Sequence, residues 1–318
     1  MNVMFATYPM AFHTPGGGEV QLLSYEQHLP AHGVTPRRLD PWNPRFLEHD
    51  VVHFFSCVGG SSHLCGFVKG LGLPLVVSSS LWMTEETAGN FPIDEIRHQL
   101  ALADRVVTNS AMESETLAKV LGLPGEKFVA VSNAIDEVFL APADPALFRE
   151  AFGIEGPFAL CVGNIEPRKN QLALVAAMQQ HPDLVLVLAG EVRDPRYWAQ
   201  VQQAAGGRVV FIGAIPHHSV LLRSAYAACE VFVLPSLFET PGLAALEAAA
   251  QRARIAITSQ GSTGEYFGDA VHYLMPDSVS SIAEAIAAAR AGERCSYVPP
   301  IWGEATGKLA GIYAELLR

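Results

Sequence analysis

Short apolar runs rich in Val, Ile and Leu recur along this chain, with stretches of helical spacing between them. No other feature of the sequence restricts the fold as much. A run that is apolar at nearly every position is buried on both faces, so helices must cover both. Strand–helix alternation of this kind gives a parallel α/β sheet. The first expected strands are NVMFATY (2–8), VVHFF (51–55), LPLVVSS (73–79), RVVTNS (105–110) and KFVAVSNAID (127–136). The segment 137–157 carries three Pro and two Gly and reads as a linker. The alternation then restarts with FALCVGN (158–164), LVLVLAG (184–190), RVVFIG (208–213), EVFVLPS (230–236), RIAITS (254–259) and VHYLM (271–275). A length of 318 residues also exceeds what one small core serves. The expected architecture is two doubly wound domains, residues 1–153 and 154–300, and a closing helix at 301–318. In such sheets ligands sit beyond the carboxyl ends of the strands, and two such domains facing each other place the site in the cleft between them.

Charge narrows the choice of partner. The net charge is −11; residues 1–153 hold 9 Lys and Arg against 17 Asp and Glu, and residues 154–318 hold 12 against 15. With no long basic run, nucleic acid is not an expected partner. Arg37, Arg38 and Arg45 around Trp42 read as a solvated loop, in preference to a patch for an anionic membrane. The five cysteines (57, 65, 161, 229 and 295) are odd in number and form no C-x-x-C, which fits a reducing compartment without a disulfide framework. The N-terminal MNVMFATYPM reads as a first strand and not as a signal peptide. No stretch approaches the uninterrupted apolar length of a membrane-spanning helix.

The chemistry gathers at strand ends. After the run at 230–236 comes FETPGLAALEAA (238–249). Thr240 suits an N-cap and Pro241 a first helical position, so a helix is expected from Pro241. Gly242 and Leu243 then offer unpaired N–H groups, and Gly242 lets a ligand approach the backbone. Glu239 lies just outside the helix, and Glu247 lies six residues beyond Pro241, roughly 9 Å along the axis. The plain reading makes Glu239 a helix-dipole partner and Glu247 an ordinary helical residue. The apolar surroundings of Glu247, LAALEAAAQ, argue against it, because a carboxylate there needs a reason. Two acceptor carboxylates with backbone donors between them suit a nucleotide diphosphate sugar.

LCVGNIEPRKN (160–170) ends a strand at Gly163 and delivers Arg168 and Lys169 before a helix. Arg grips phosphate through two parallel bonds, and Lys adds a point charge. TPGGGEVQ (14–21), with Gly16 and Gly17, is glycine-rich but is neither G-x-G-x-x-G nor a P-loop. The chain has no Asp-x-Asp and no G-x-S-x-G, and H-x-x-x-H spacing occurs only at His28/His32, which spans Pro30, and His49/His53, which runs into the strand VVHFF, neither suited to a metal-binding helix. His217 and His218 are adjacent and expected to point apart. No metal and no cofactor beyond a nucleotide sugar co-substrate is therefore expected. The missing dinucleotide fingerprint sets aside a nicotinamide oxidoreductase.

Together these segments resemble the retaining glycosyltransferases of family 4, which have the GT-B fold. The likeness is strongest over about 158–275. VGNIEPRKNQLALVAAM resembles the family's Gly-x-x-x-Pro-Arg-Lys segment, and AYAACEVFVLPSLFETPGLAALEAAA its strand and paired glutamates. GSTGEYFGDAVHYLMPDS and DRVVTNSAMESETLAKVLGLPGEKFVAVSNAID follow the family pattern in order. The resemblance implies a metal-independent transfer that retains anomeric configuration, through an oxocarbenium-like transition state. Arg168 and Lys169 would stabilise the leaving diphosphate. Glu239, with the backbone at Thr240, Pro241, Gly242 and Leu243, would hold the donor sugar, and Glu247 the ribose. Gly16 and Gly17 would approach from the facing domain, and the last helix would cross back to the N-terminal domain. The acceptor would be a glycan or lipid-linked glycan, the location cytoplasmic, with at most peripheral membrane contact. Two departures stand out. Ser78, Ser79 and Ser80 occupy the place of the family's usual His, which puts the donor-sugar contact in question. Ala134 replaces the Gly of Asn-Gly-x-Asp at 133–136, so positive φ is not expected there. A non-catalytic, sugar-nucleotide-binding subunit is the alternative.

Overall fold

The computed structural model describes residues 1–59 and 61–318; Gly60, in the loop expected before the second helix, lies outside the described residues. The chain divides into two compact units, Met1–Ala134 with Pro300–Arg318, and Ile135–Pro299. Each carries a six-stranded sheet whose pairings among the described residues are parallel. The doubly wound Rossmann-like architecture expected from the alternation is the architecture present.

The first unit begins β1 (Asn2–Thr7), α1 (Gly17–His28), β2 (Thr35–Arg38), β3 (Val51–Phe55), α2 (Ser62–Gly70). It continues β4 (Leu75–Ser78), α3 (Ile93–Leu102), β5 (Arg105–Thr108), α4 (Ala111–Leu121), β6 (Phe128–Ala130). The sheet order is β2-β1-β3-β4-β5-β6. The chain therefore runs outward to β2 and returns past β1 to β3, so the winding reverses between β1 and β3. β3 is buried along its whole length, which is why its sequence is apolar without alternation. Strand β2 is an addition to the eleven runs read from the sequence. Its residues, TPRR, are mostly exposed, and it lies at the sheet edge, where Pro36 is tolerated. Arg37 and Arg38, read as loop, thus belong to an edge strand, where Arg38 is paired with Glu26, while Arg45 lies outside it before a short 3-10 turn. Trp42 is 95% exposed beside them.

The second unit holds α5 (Pro145–Phe152), β7 (Phe158–Val162), α6 (Gln171–Ala177), β8 (Val185–Ala189), α7 (Pro195–Ala205), β9 (Val209–Phe211). Then come α8 (Val220–Ala228), β10 (Val231–Leu234), α9 (Leu243–Ala250), β11 (Ile255–Thr258), α10 (Thr263–Phe267), β12 (His272–Leu274) and α11 (Val279–Ala291). The order β12-β11-β10-β7-β8-β9 puts the reversal between β7 and β10.

The segment 137–157 is part of this unit and not an open linker. The residues that read as breakers are helix ends: Asp144 caps α5, Pro145 is in its first turn, and Gly153 closes it in the left-handed conformation. Phe139, Phe148 and Ile154 sit in the core of the second unit, and Ser224 Oγ accepts from Phe148 N at 2.9 Å.

Residues 300–318 group with the first unit. Their helix α12 (Trp302–Leu316) sets Trp302 edge-on to Tyr25, with ring centroids 5.6 Å apart. Tyr313 Oη lies 2.6 Å from Nδ1 of buried His53, whose Nε2 lies 2.8 Å from Ser78 Oγ. Burial pulls the His53 pKa down to about 3, so the ring is neutral. The five cysteines are free and buried. Among the described residues, no helix is long and apolar enough to cross a membrane.

Candidate functional site

Open α/β sheets bind ligands where the winding reverses, beyond the carboxyl ends of the strands. In the second unit that place lies between the loops that follow β7 and β10. The loop after β7 forms a single 3-10 turn, Pro167–Lys169, closed by Asn170 at φ +57. Asn170 Nδ2 donates to Pro235 O at 3.1 Å and to Pro276 O at 2.8 Å, and Leu237 N donates to Arg168 O at 2.9 Å. These bonds join the two loops and bring their charges together.

Lys169 Nζ donates to Glu239 Oε1 at 2.6 Å, and Ser236 Oγ donates to the same oxygen at 2.6 Å. Arg168 Nη1 stands 3.7 Å from it, and the Arg168 guanidinium lies over the Phe238 ring at 5.5 Å. Glu239 is 6% exposed. Burial alone would raise its pKa, but the Lys169 and Arg168 charges and the bonds from Lys169 and Ser236 hold it below the usual value. The carboxylate is thus ionised, with one lysine and part of one arginine neutralised by it.

The helix begins later than its sequence promised. α9 starts at Leu243, and Gly242, not Thr240, is the N-cap. Gly242 has φ +93, and a Cβ there would stand 2.8 Å from Leu234 Cδ2 and 3.3 Å from Glu239 Oε2. Those neighbours are side-chain atoms that can shift, so it is the positive φ that favours glycine here, and the helix forms only after it. Glu247 is therefore five residues beyond the cap, about 7.5 Å along the axis. It is 4% exposed and already bonded: His217 Nε2 lies 2.6 Å from Oε1, and Tyr226 Oη donates to Oε2 at 2.7 Å. Burial favours neutral His217, but Glu247 outweighs it, by hydrogen bond and charge with help from Asp136, and raises its pKa. Burial, then the Glu247 charge, pushes the Tyr226 phenol well up, so it stays a donor.

His217 and His218 do not point apart as expected. They sit in a turn, outside helix and strand, with ring centroids 4.7 Å apart. His218 Nε2 is 2.8 Å from Asp136 Oδ2, and single ligand atoms of Asp136, His217 and His218 lie within 4.8 Å of one another. The turn brings both rings to one side of the chain, and each histidine has a carboxylate partner.

Gly163 follows β7 and donates its N–H to Ala189 O at 2.9 Å. Gly16 and Gly17 belong to the first unit: Gly16 caps α1, and its N–H donates to Glu19 Oε2 at 2.6 Å. Of the three serines, Ser78 is held by His53, and Ser79 Oγ donates to Glu113 Oε1 at 2.5 Å. Ser80 Oγ reaches Gln21 Oε1 at 3.3 Å. Residues 133–136 have no positive φ.

Sequence reasoning missed Glu166, Asn170, Ser236, His217, Tyr226 and Gly261. Glu166 and Asn170 flank the Arg-Lys pair and Ser236 stands two residues past β10, which is a local signal. His217, Tyr226 and Gly261 give no such signal, because only the fold brings them to Glu247 or Glu239.

Two Rossmann-like units, each built on a six-stranded parallel sheet, give the chain the GT-B class of fold. Residues 146–294, just under half of the chain, match the family model described as "Glycosyl transferases group 1". The chain is 28% identical over 250 residues to alpha-maltose-1-phosphate synthase of Mycolicibacterium smegmatis, covering 70% of this chain and 64% of that one. It is 28% identical over 211 residues to O-antigen chain mannosyltransferase B of Escherichia coli, covering 60% and 55%. It thus spans less than two thirds of either relative. Among solved structures, Anabaena Alr3699/HepE in complex with UDP and glucose superposes with a TM-score of 0.75 at 17% identity, covering 99% of this chain and 100% of that one. That likeness is one of fold.

Proposed function

We propose that this protein is a retaining glycosyltransferase that moves a sugar from a nucleotide diphosphate sugar to a glycan or lipid-linked acceptor. One observation carries the reading: Arg168 and Lys169 after β7 meet Glu239 after β10, where the winding of the second sheet reverses. The matches to glycosyltransferases support it.

In this reading the diphosphate takes over the charges that Glu239 now neutralises. Arg168 and Lys169 stabilise the negative charge that builds on the departing diphosphate, the largest electrostatic contribution to rate. Glu239 then accepts from donor-sugar hydroxyls, and the backbone at Gly242 and Leu243 faces the ligand. Glu247, held by His217 and Tyr226, keeps lone pairs for the ribose hydroxyls. The transition state is oxocarbenium-like, no side chain serves as nucleophile, and no metal ion takes part. The enzyme works in the cytoplasm with at most peripheral membrane contact.

Thermal shift and slow hydrolysis against UDP-, GDP-, ADP- and dTDP-sugars test this, with Glu247→Ala and Arg168→Ala as controls. A shift and turnover with one donor, lost in both variants, is the expected result. A shift without turnover, followed by no transfer in an acceptor screen, would favour the non-catalytic binding subunit. Folded protein that responds to no donor would refute the site.

A further inference from the structure

Glu166 shares a loop with Arg168, is 9% exposed, and has no part in the chemistry described above. Its two oxygens are divided between two guanidinium groups. Oε1 accepts from Arg168 Nη2 at 3.2 Å, and Oε2 accepts from Arg193 Nη1 at 3.0 Å. Arg193 comes from the loop after β8, the strand beside β7. That loop is itself tied to the first: Ile165 pairs with Val192, and Arg193 N donates to Ile165 O at 3.2 Å. Charges therefore alternate along Arg193, Glu166, Arg168, Glu239 and Lys169.

Arg168 is a long side chain, 37% exposed, and it shares Glu239 with Lys169 at unequal distances, 3.7 Å against 2.6 Å. Its other holds are the Phe238 ring and a 3.4 Å bond to Phe238 O. When an anion takes over from Glu239, these and Glu166 are what remain. An arginine grips phosphate through a planar fork, so its orientation must be fixed in advance. A carboxylate this buried is destabilising unless its partners stay in place, which makes Glu166 a firm anchor.

We propose that Glu166, backed by Arg193, is a positioning residue that fixes the Arg168 guanidinium for the donor diphosphate. The inference rests on the function proposed above and adds a residue to that site.

Glu166→Gln tests it, because it keeps the shape, removes the charge and turns an amide NH2 toward one of the two guanidinium groups. The first readout needs no ligand: the ¹⁵Nε–¹H signal of Arg168, assigned by its loss in Arg168→Lys. Its order parameter should fall in Glu166→Gln while the thermal midpoint of the protein changes little. The second is calorimetric affinity for whichever of UDP, GDP or ADP binds the wild type, and for the matching nucleoside. The diphosphate should bind about tenfold more weakly, the size of one lost charge-assisted bond, and the nucleoside unchanged. On an Arg168→Ala background, Glu166→Gln should add nothing. An unchanged order parameter, or equal weakening of nucleotide and nucleoside, would overturn the proposal. A wild type that binds none of the three nucleotides overturns the proposed function, and this role with it. A wild type that binds one of them and loses nothing in Glu166→Gln overturns this role alone.

Discussion

Gly261→Ala probes how Glu239 is held. Gly261 lies in the turn after β11 at φ +105, paired with Glu239 in an isolated parallel bridge. Glu239 N donates to Gln260 O at 3.1 Å, and Ser262 N donates to Glu239 O at 3.0 Å. A Cβ at position 261 would overlap the Glu239 carbonyl oxygen and stand 2.8 Å from its nitrogen, inside the 3.0 Å that real Cβ atoms keep. The obstacle is backbone and not a flexible side-chain tip. Glu239 must therefore retreat by roughly 1 Å, and a misplacement of that size costs on the order of 10²-fold in rate. The positive φ adds strain of about 1–3 kcal/mol by itself. Gly207→Ala separates the two effects, because Gly207 has φ +86 and nothing within 4 Å of its virtual Cβ. Both variants should lose stability in thermal unfolding, and only Gly261→Ala should lose donor hydrolysis, by about 10²-fold in kcat/KM. If Gly261→Ala hydrolysed donor as fast as Gly207→Ala, the argument that this turn fixes Glu239 would be wrong.

Lys169→Ala leaves the Glu239 carboxylate buried with its best partner gone, and should cost about 3–5 kcal/mol in denaturant unfolding. Adding Glu239→Gln should restore part of that loss, and no restoration would show that the pair is not coupled. Stability should also follow pH on both sides. Glu239 is held below its ordinary 4.5, so its contribution is present above that value and is lost as pH falls through the lower folded value. His217 is raised above 6.5, so its contribution is complete below 6.5 and is lost as pH rises through the raised value. Thermal midpoints measured across pH should show both declines, and the alkaline one should vanish in His217→Gln. Tyr313→Phe removes the hydroxyl from buried His53 Nδ1 and should cost about 1–3 kcal/mol, with His53→Phe on that background recovering some of it.

Much of this protein was legible before folding was considered. All eleven apolar runs contain a strand, because burial on both faces leaves a mark within five or six consecutive residues. The Arg-Lys pair and Glu239 were visible for a similar reason: each stands just past a strand, where parallel sheets place their chemistry. Breakers were visible too, but their meaning was not. Pro145 and Gly153 look alike in a linker and at the ends of α5, and only the packing of Phe148 against the second core decides between them. Edge strand β2 was hidden because an exposed strand carries no apolar pattern.

What the sequence by itself determined is local: which segments are strands or helices, and which side chains stand at their ends. The tertiary structure decided strand order, and with it the meeting of loops distant in sequence. Lys169 and Glu239 are 70 residues apart, and His53 and Tyr313 are 260 apart. Such pairs leave no periodic trace, because their contact depends on β7 lying beside β10, or α12 returning to the first unit. The same holds for Gly261, whose need to be glycine comes from a carbonyl 22 positions earlier in the chain.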